Sequence, residues 1–285
     1  MRPGRFLAAL LAAAVLVLAA SAGQAVVQKS TADFADGAAW EDFLRTAEIV
    51  GEKQLGGPDA TTRPWKLTLE KDGLRTFGLW KDIDSREGGV LDCWRYEVAA
   101  YRIDRLLGLI KVPPTVDRPY KGRPGSLQLW VDGTASLKAM GAKMSERPPE
   151  KVRMWNQSAF IQRVFDDLIA NEDRNANNIL VTGDWQMVLI DHSRTFRYSR
   201  RYTRNLIFGP GGLMKAADGS PYLFKMLPRT FVVRIRALDA DRIREAVGAF
   251  LTGEEIDAIL ARKALVLKEI EAMIALSGED AVLYE

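Results

Sequence analysis

The sequence predicts an α+β fold in two unequal parts: a small antiparallel sheet with one helix, followed by a mostly helical half. Three observations predict it. Residues 47–83 alternate between turn residues as half-buried strands do, Leu91 to Leu107 switches to helical spacing, and the chain beyond Lys151 keeps that spacing apart from one short hairpin.

The first strands fall at Glu48 to Leu55, Trp65 to Glu70 and Leu74 to Trp80, with Lys71-Asp72-Gly73 turning the last two into a hairpin. Between the first two, Gly56 to Thr62 forms a small-residue loop carrying the hydroxyls of Thr61 and Thr62. One helix follows the three strands, with Trp94, Val98, Tyr101 and Leu106 on its apolar face, and Pro113-Pro114 bars its continuation. Gln128 to Val131 reads as a further short strand. The run 145–150, with Pro148 and Pro149, marks the expected boundary between the two parts, which gives 47–144 and 145–285. Lys151 to Ala170 places Trp155, Phe160, Val164, Phe165, Leu168 and Ile169 on a broad apolar face, and Thr252-Gly253-Glu254-Glu255 is a capping box opening a helix toward Ile274.

Ahead of residue 47 lie a connector over 26–46 and, over 1–25, a segment with the form of an export signal: Arg2 and Arg5, an apolar run from Phe6 to Ala20, then small residues to Ala25. Cleavage between Ser21 and Val26 would leave the rest of the chain periplasmic or extracellular, and retention would make the segment a membrane anchor. Forty Lys and Arg against 37 Asp and Glu give a net charge of +3, too balanced to point to nucleic acid. A single cysteine, Cys93, excludes an intramolecular disulfide and a thiolate metal cluster, and the single histidine, His192, excludes paired-histidine zinc sites.

The chemistry concentrates in Asn171-Glu172-Asp173-Arg174-Asn175-Ala176-Asn177-Asn178 and in the Leu189-Ile190-Asp191-His192-Ser193 that closes the following hairpin. Phosphoryl transfer needs a carboxylate at the attacking hydroxyl, and a carboxylate plus an amide oxygen to hold a divalent ion on the phosphates. Asp173 and Asn178 have the D-x-x-x-x-N spacing of a kinase catalytic loop, and Asp191 ends a hairpin strand where the metal aspartate belongs. Upstream, Lys81 ends the third strand and Glu97 sits in the next helix, the order required of a phosphate-holding lysine and the glutamate that orients it. His192 reads as a packing residue and Gly209-Pro210-Gly211-Gly212 as a turn.

Asp173-Arg174, Asn178-Ile179 and Ile190-Asp191 resemble the D-R-H-x-x-N-I and I-D-F-G motifs of phosphatidylinositol 3-/4-kinases and their bacterial relatives, and more distantly the HipA-type and secretory-pathway kinases. Glu97 to Tyr101, Val112 to Val116 and Gly125 to Trp130 resemble the helix and hinge of the bacterial proteins, and the likeness spans Ile49 to the C-terminus. It implies a two-lobed kinase-like fold binding ATP and magnesium, with manganese as the alternative ion. Asp173 is then the catalytic aspartate, Asn178 and Asp191 are the metal ligands, and Lys81 with Glu97 forms the phosphate-holding pair. Thr61 and Thr62 lie in the loop over the nucleotide, and Gln128, Leu129 and Trp130 in the hinge against which adenine lies. The family's loop histidine is Asn175 here, and its Phe-Gly is His192-Ser193.

Five arginines in the eleven residues from Arg194 to Arg204 follow Asp191. Arg197, Arg200, Arg201 and Arg204 are the expected docking surface for an anionic or hydroxyl-bearing acceptor on a protein, lipid or glycan, and such a surface also suits membrane proximity. Two alternatives stay open on the sequence: a nucleotide-binding scaffold without turnover, and nucleotidyl transfer on the same fold.

Overall fold

The computed structural model describes residues 24–25, 33, 35–56, 63–87 and 90–285. The loop holding Thr61 and Thr62, and the apolar run of the export signal, lie outside the described residues.

A two-residue strand, β1 (Gln24–Ala25), lies parallel to β4 (Leu74–Lys81), and the connector's last ten residues form a helix, α1 (Gly37–Thr46), which buries Phe43 and Leu44. Its start is fixed by Asp36, whose carboxylate accepts from Ala39 N. The strands β2 (Glu48–Gln54), β3 (Trp65–Lys71) and β4 (Leu74–Lys81) pair antiparallel, and β4 continues the sheet through β8 (Ser126–Leu129) to β7 (Thr115–Asp117). On β4 the side chains of Thr76 and Trp80 go to the core, so the period-2 rule turns Phe77, Leu79 and Lys81 to the opposite face. Gly78 is required on the core face, where an added Cβ would stand 2.6 Å from Leu127 Cδ1.

The sequence places one helix directly after three strands, but a hairpin intervenes, β5 (Asp84–Glu87) with β6 (Val90–Cys93), before α2 (Trp94–Leu107). Its β6 half was absorbed into the helical pattern because Leu91 sits at helical spacing from Trp94. The chain leaves the large sheet at 130–134, and β9 (Ala135–Ser136) already pairs with β10 (Ile179–Val181), which in turn pairs with β11 (Met187–Leu189). After a short α3 (Leu137–Met140), Pro148 and Pro149 open α4 (Pro149–Ile169), where a proline in the first turn lacks only a hydrogen bond no helix could supply.

The remainder comprises α5 (Arg200–Arg204), β12 (Leu227–Pro228), α6 (Arg229–Ala237), α7 (Ala240–Val247), α8 (Gly253–Ser277), α9 (Glu279–Val282) and β13 (Leu283–Tyr284). The capping box at Thr252 and Glu255 is formed as the sequence requires. Among the described residues three apolar clusters result. One lies on the sheet around Leu67, Leu69, Trp80 and Leu127, one runs through the helices, and a small third gathers Ala170, Tyr202, Ile207 and Phe208. Ala99, Ala100, Tyr101, Ile103 and Leu107 of α2 belong to the helical cluster, while the helix also packs against β7 and β8 of the sheet.

Candidate active site

Lys81, Glu97 and Asp191 come from β4, α2 and the end of β11's hairpin, and they meet at one ammonium. Lys81 Nζ lies 2.5 Å from Glu97 Oε1 and 2.7 Å from Asp191 Oδ1. Burial alone would lower the Lys81 pKa, but the charges of Asp191 and Glu97 outweigh it and raise it above the ordinary lysine value. Burial would likewise raise Glu97, which is 2% exposed, but Lys81 and the His192 ring hold it below the usual carboxylate range, and the His192 backbone N–H donates to its Oε2 at 3.0 Å. The Asp191 side chain is 41% exposed and faces the cleft. Its backbone takes φ 60°, a left-handed turn that a short polar side chain tolerates better than most, and the turn separates the direction of Asp191 from that of buried His192.

The loop from Asp173 to Asn178 is positioned by Arg174. Its guanidinium forks onto Asp166, with Nε 3.0 Å from Oδ2 and Nη2 3.1 Å from Oδ1, and its Nη1 donates to Asn178 O and Ile190 O at 2.7 and 2.8 Å. One buried arginine thus ties α4, the loop and the strand before Asp191 together. Asn178 Nδ2 donates to Asp173 O at 2.9 Å, which leaves Oδ1 as the side chain's acceptor. Burial and the nearby charge of Asp191 raise the Asp173 pKa, while Arg194 opposes the rise. Asn175, in the place of the resembled family's histidine, donates from Nδ2 to Asp173 O at 3.2 Å.

A cavity of about 340 Å³ opens beside these groups, lined by Lys66, Leu79, Gln128, Leu129, Trp130, Leu180 and Ile190 among others. Gln128, Leu129 and Trp130 therefore border one cleft, though not equally. Gln128 is buried and its amide donates to Thr115 Oγ1, while the Leu129 and Trp130 N–H groups are taken by Pro114 O and Phe77 O. A base would meet backbone groups from Trp130 O onward. Lys66 Nζ lies 3.9 Å from the Trp130 ring centroid and 4.1 Å from that of Phe77.

No family model matches the sequence, and no curated protein matches it. Solved structures do. The backbone matches that of a hydra Fam20 determined with sugar at TM-score 0.57 and 14% identity, over 86% of this chain and 90% of that one. It matches the Golgi casein kinase with Mn/ADP bound at TM-score 0.57 and 14% identity, over 89% and 79%. The Helicobacter pylori proinflammatory kinase CtkA matches at 0.53 and 14%, over 82% and 98%. The fold is kinase-like. Lys81, Glu97, Asp173, Asn178 and Asp191 lie between the sheet and the helical part, together with the cavity beside Leu129 and Trp130.

The basic run divides. Arg200, Arg201 and Arg204 are exposed on α5, Arg201 stacking on Tyr202, and Arg204 lines a separate groove with Lys268 and Glu269 of α8. Arg197 turns inward, 3.6 Å from Glu172 and over Tyr202, and its carbonyl accepts from buried Arg262. The sequence reading missed Asp166, Asp92 and Lys66. Asp166 and Asp167 had a visible signal, two carboxylates between Phe165 and Leu168 on an apolar helix face, where an unpaired charge is not tolerated. Nothing in the pattern marked Asp92.

Proposed function

We propose that this chain is an ATP-dependent phosphotransferase that moves the γ-phosphoryl group to a hydroxyl of a protein, lipid or glycan. The observation that carries the reading is Lys81 held between Glu97 and Asp191, since that three-group clasp has a use in holding phosphates and is costly to build for stability alone. The donor set suits a divalent ion: Asp191 supplies an exposed carboxylate and Asn178 an amide oxygen left over from its own hydrogen bond. Magnesium, or manganese in its place, would neutralise charge on the phosphates when bound there.

The residues divide the work. Lys81 takes the α/β-phosphates, Glu97 orients it, and the base enters the cavity beside Leu129 and Trp130. Asp173, whose pKa is raised toward that of a usable base, accepts the proton of the attacking hydroxyl. Thr61 and Thr62 cover the phosphates in this reading, and Arg200, Arg201 and Arg204, with the partly buried Arg197, face an anionic acceptor. The N-terminal segment directs export to the periplasm or extracellular space, which N-terminal sequencing of protein from its native host tests by a start between Ser21 and Val26.

Incubation with γ-labelled and α-labelled ATP and magnesium tests the function. Transfer of γ label to protein, lipid or glycan supports it. Transfer of α label replaces it with nucleotidyl transfer, and ATP binding without either replaces it with a scaffold.

A further inference from the structure

The segment just after Asp191 is pinned on both flanks. Cys93 N donates to Ser193 O at 2.8 Å, Thr195 Oγ1 to His192 O at 2.8 Å, and Phe196 N to Ile169 O at 2.6 Å. His192, Ser193, Thr195 and Phe196 are buried, and Arg194 alone among residues 192–196 is not. Its Nε donates at 2.9 Å to Asp92 Oδ2, on the β6 strand that the sequence reading missed, and Asp92 is 4% exposed. That bond engages Nε, so the terminal nitrogens of the rigid fork are the donors left to face a ligand.

The charge reaches the reacting groups. Beyond its bond to Asp92, Arg194 is stabilised by the charges of Asp173 and Asp191, and it holds Asp173 down in return. Lys81 and Arg174 are committed elsewhere, Lys81 to two carboxylates and Arg174 to Asp166, backbone carbonyls and His192.

We propose that Arg194 is a catalytic arginine supplied by the chain itself, its terminal nitrogens meeting the oxygens of the phosphoryl group in transit, with Asp92 as its positioning residue. The inference rests on the phosphotransferase reading. In that step the acceptor oxygen bonds to the γ-phosphorus of ATP and the bond from that phosphorus to the β,γ-bridging oxygen breaks. ADP leaves with the electron pair, and the hydroxyl proton passes to Asp173. Charge spread over the three equatorial oxygens is what an arginine at this place stabilises, more in the transition state than in bound ATP.

Titration of the full chain with ADP and manganese, with and without aluminium fluoride as a mimic of the group in transit, decides it. Wild type binds ADP, and fluoride tightens binding at least about tenfold. Arg194→Ala and Arg194→Lys keep ADP affinity within about twofold but lose that gain, Asp92→Asn loses part of it, and added guanidinium restores part of it to Arg194→Ala. A gain that survives in Arg194→Ala, or a wild type that binds ADP without any gain, overturns the proposal and leaves the phosphotransferase reading standing. Equal loss of ADP affinity in both Arg194 variants assigns Arg194 a structural role instead. A wild type that does not bind ADP at all refutes the reading itself, and the proposal with it.

Discussion

Arg174 Nη2 and His192 Nε2 lie 2.8 Å apart in the interior, joining the loop after α4 to the residue after Asp191. A guanidinium only donates, so Nε2 must accept, and the proton sits on Nδ1, 3.8 Å from Glu97 Oε2. Burial and the charge of Arg174 hold the ring neutral, with its pKa below the ordinary value. The ring also packs edge-on to Phe165.

His192→Phe, which restores the aromatic residue of the resembled motif, keeps the packing and removes the acceptor. A buried donor left without a partner costs about 1–3 kcal/mol. The variant is expected to melt several degrees lower with ADP affinity little changed. An unchanged melting temperature would show that Arg174 finds another partner.

Asp191→Ala is expected to abolish metal-dependent ADP binding, and Lys81→Ala to weaken it. Asp173→Ala spares binding and lowers turnover by about 10²–10⁴-fold, because a base at the attacking hydroxyl acts in the transition state. Binding by calorimetry and transfer of γ label separate the two classes. Near-normal turnover in Asp173→Ala would remove it from the mechanism.

Asp104 is fully buried, accepts from the N–H groups of Lys111 and Val112, and has its pKa pushed up to about 6 by burial. Between its unfolded value of 3.8 and about 6 the folded state binds the extra proton, so its contribution to stability falls as pH rises through that window, by about 3 kcal/mol in all. Asp104→Asn cannot titrate. The stability of wild type relative to Asp104→Asn should therefore decline from pH 4 to 6 and level off above it, and denaturant melts showing a flat difference would refute this.

Gly108 ends α2 at φ 65°, and a Cβ there would stand 1.1 Å from Arg234 Nη1, which donates to Leu107 O at 3.1 Å. Gly108→Ala thus combines left-handed strain with the displacement of a helix-capping arginine, a cost of about 2–3 kcal/mol. Thermal melts should show it, and Gly73→Ala, also at positive φ but with open space around it, should cost less.

Charge reversal of Arg200 and Arg201 together is expected to raise the Michaelis constant for the acceptor and leave that for ATP unchanged, with added salt reproducing part of the defect. Both side chains are exposed, so the fold should survive. Equal loss for both substrates would argue against docking there.

The strands, the buried helix and the order Lys81, Glu97, Asp173, Asn178, Asp191 were legible because each rests on local periodicity or fixed spacing. The β5–β6 hairpin was not, since Val90 and Leu91 fit the helical register of Trp94 as well as they fit a strand. Arg194 and Arg200 were indistinguishable in a basic run. What separates them is Asp92, 102 residues earlier, which holds Arg194, a partnership that only the fold creates.

Lys81 comes from the large sheet, Glu97 from α2, which packs against both the sheet and the helices, and Asp191 from the end of the small hairpin. One ammonium therefore acts as a keystone among three separate elements. A shift of any one of them must be registered at the other two, so the spacing of the two carboxylates is set by the whole fold and not by either lobe alone.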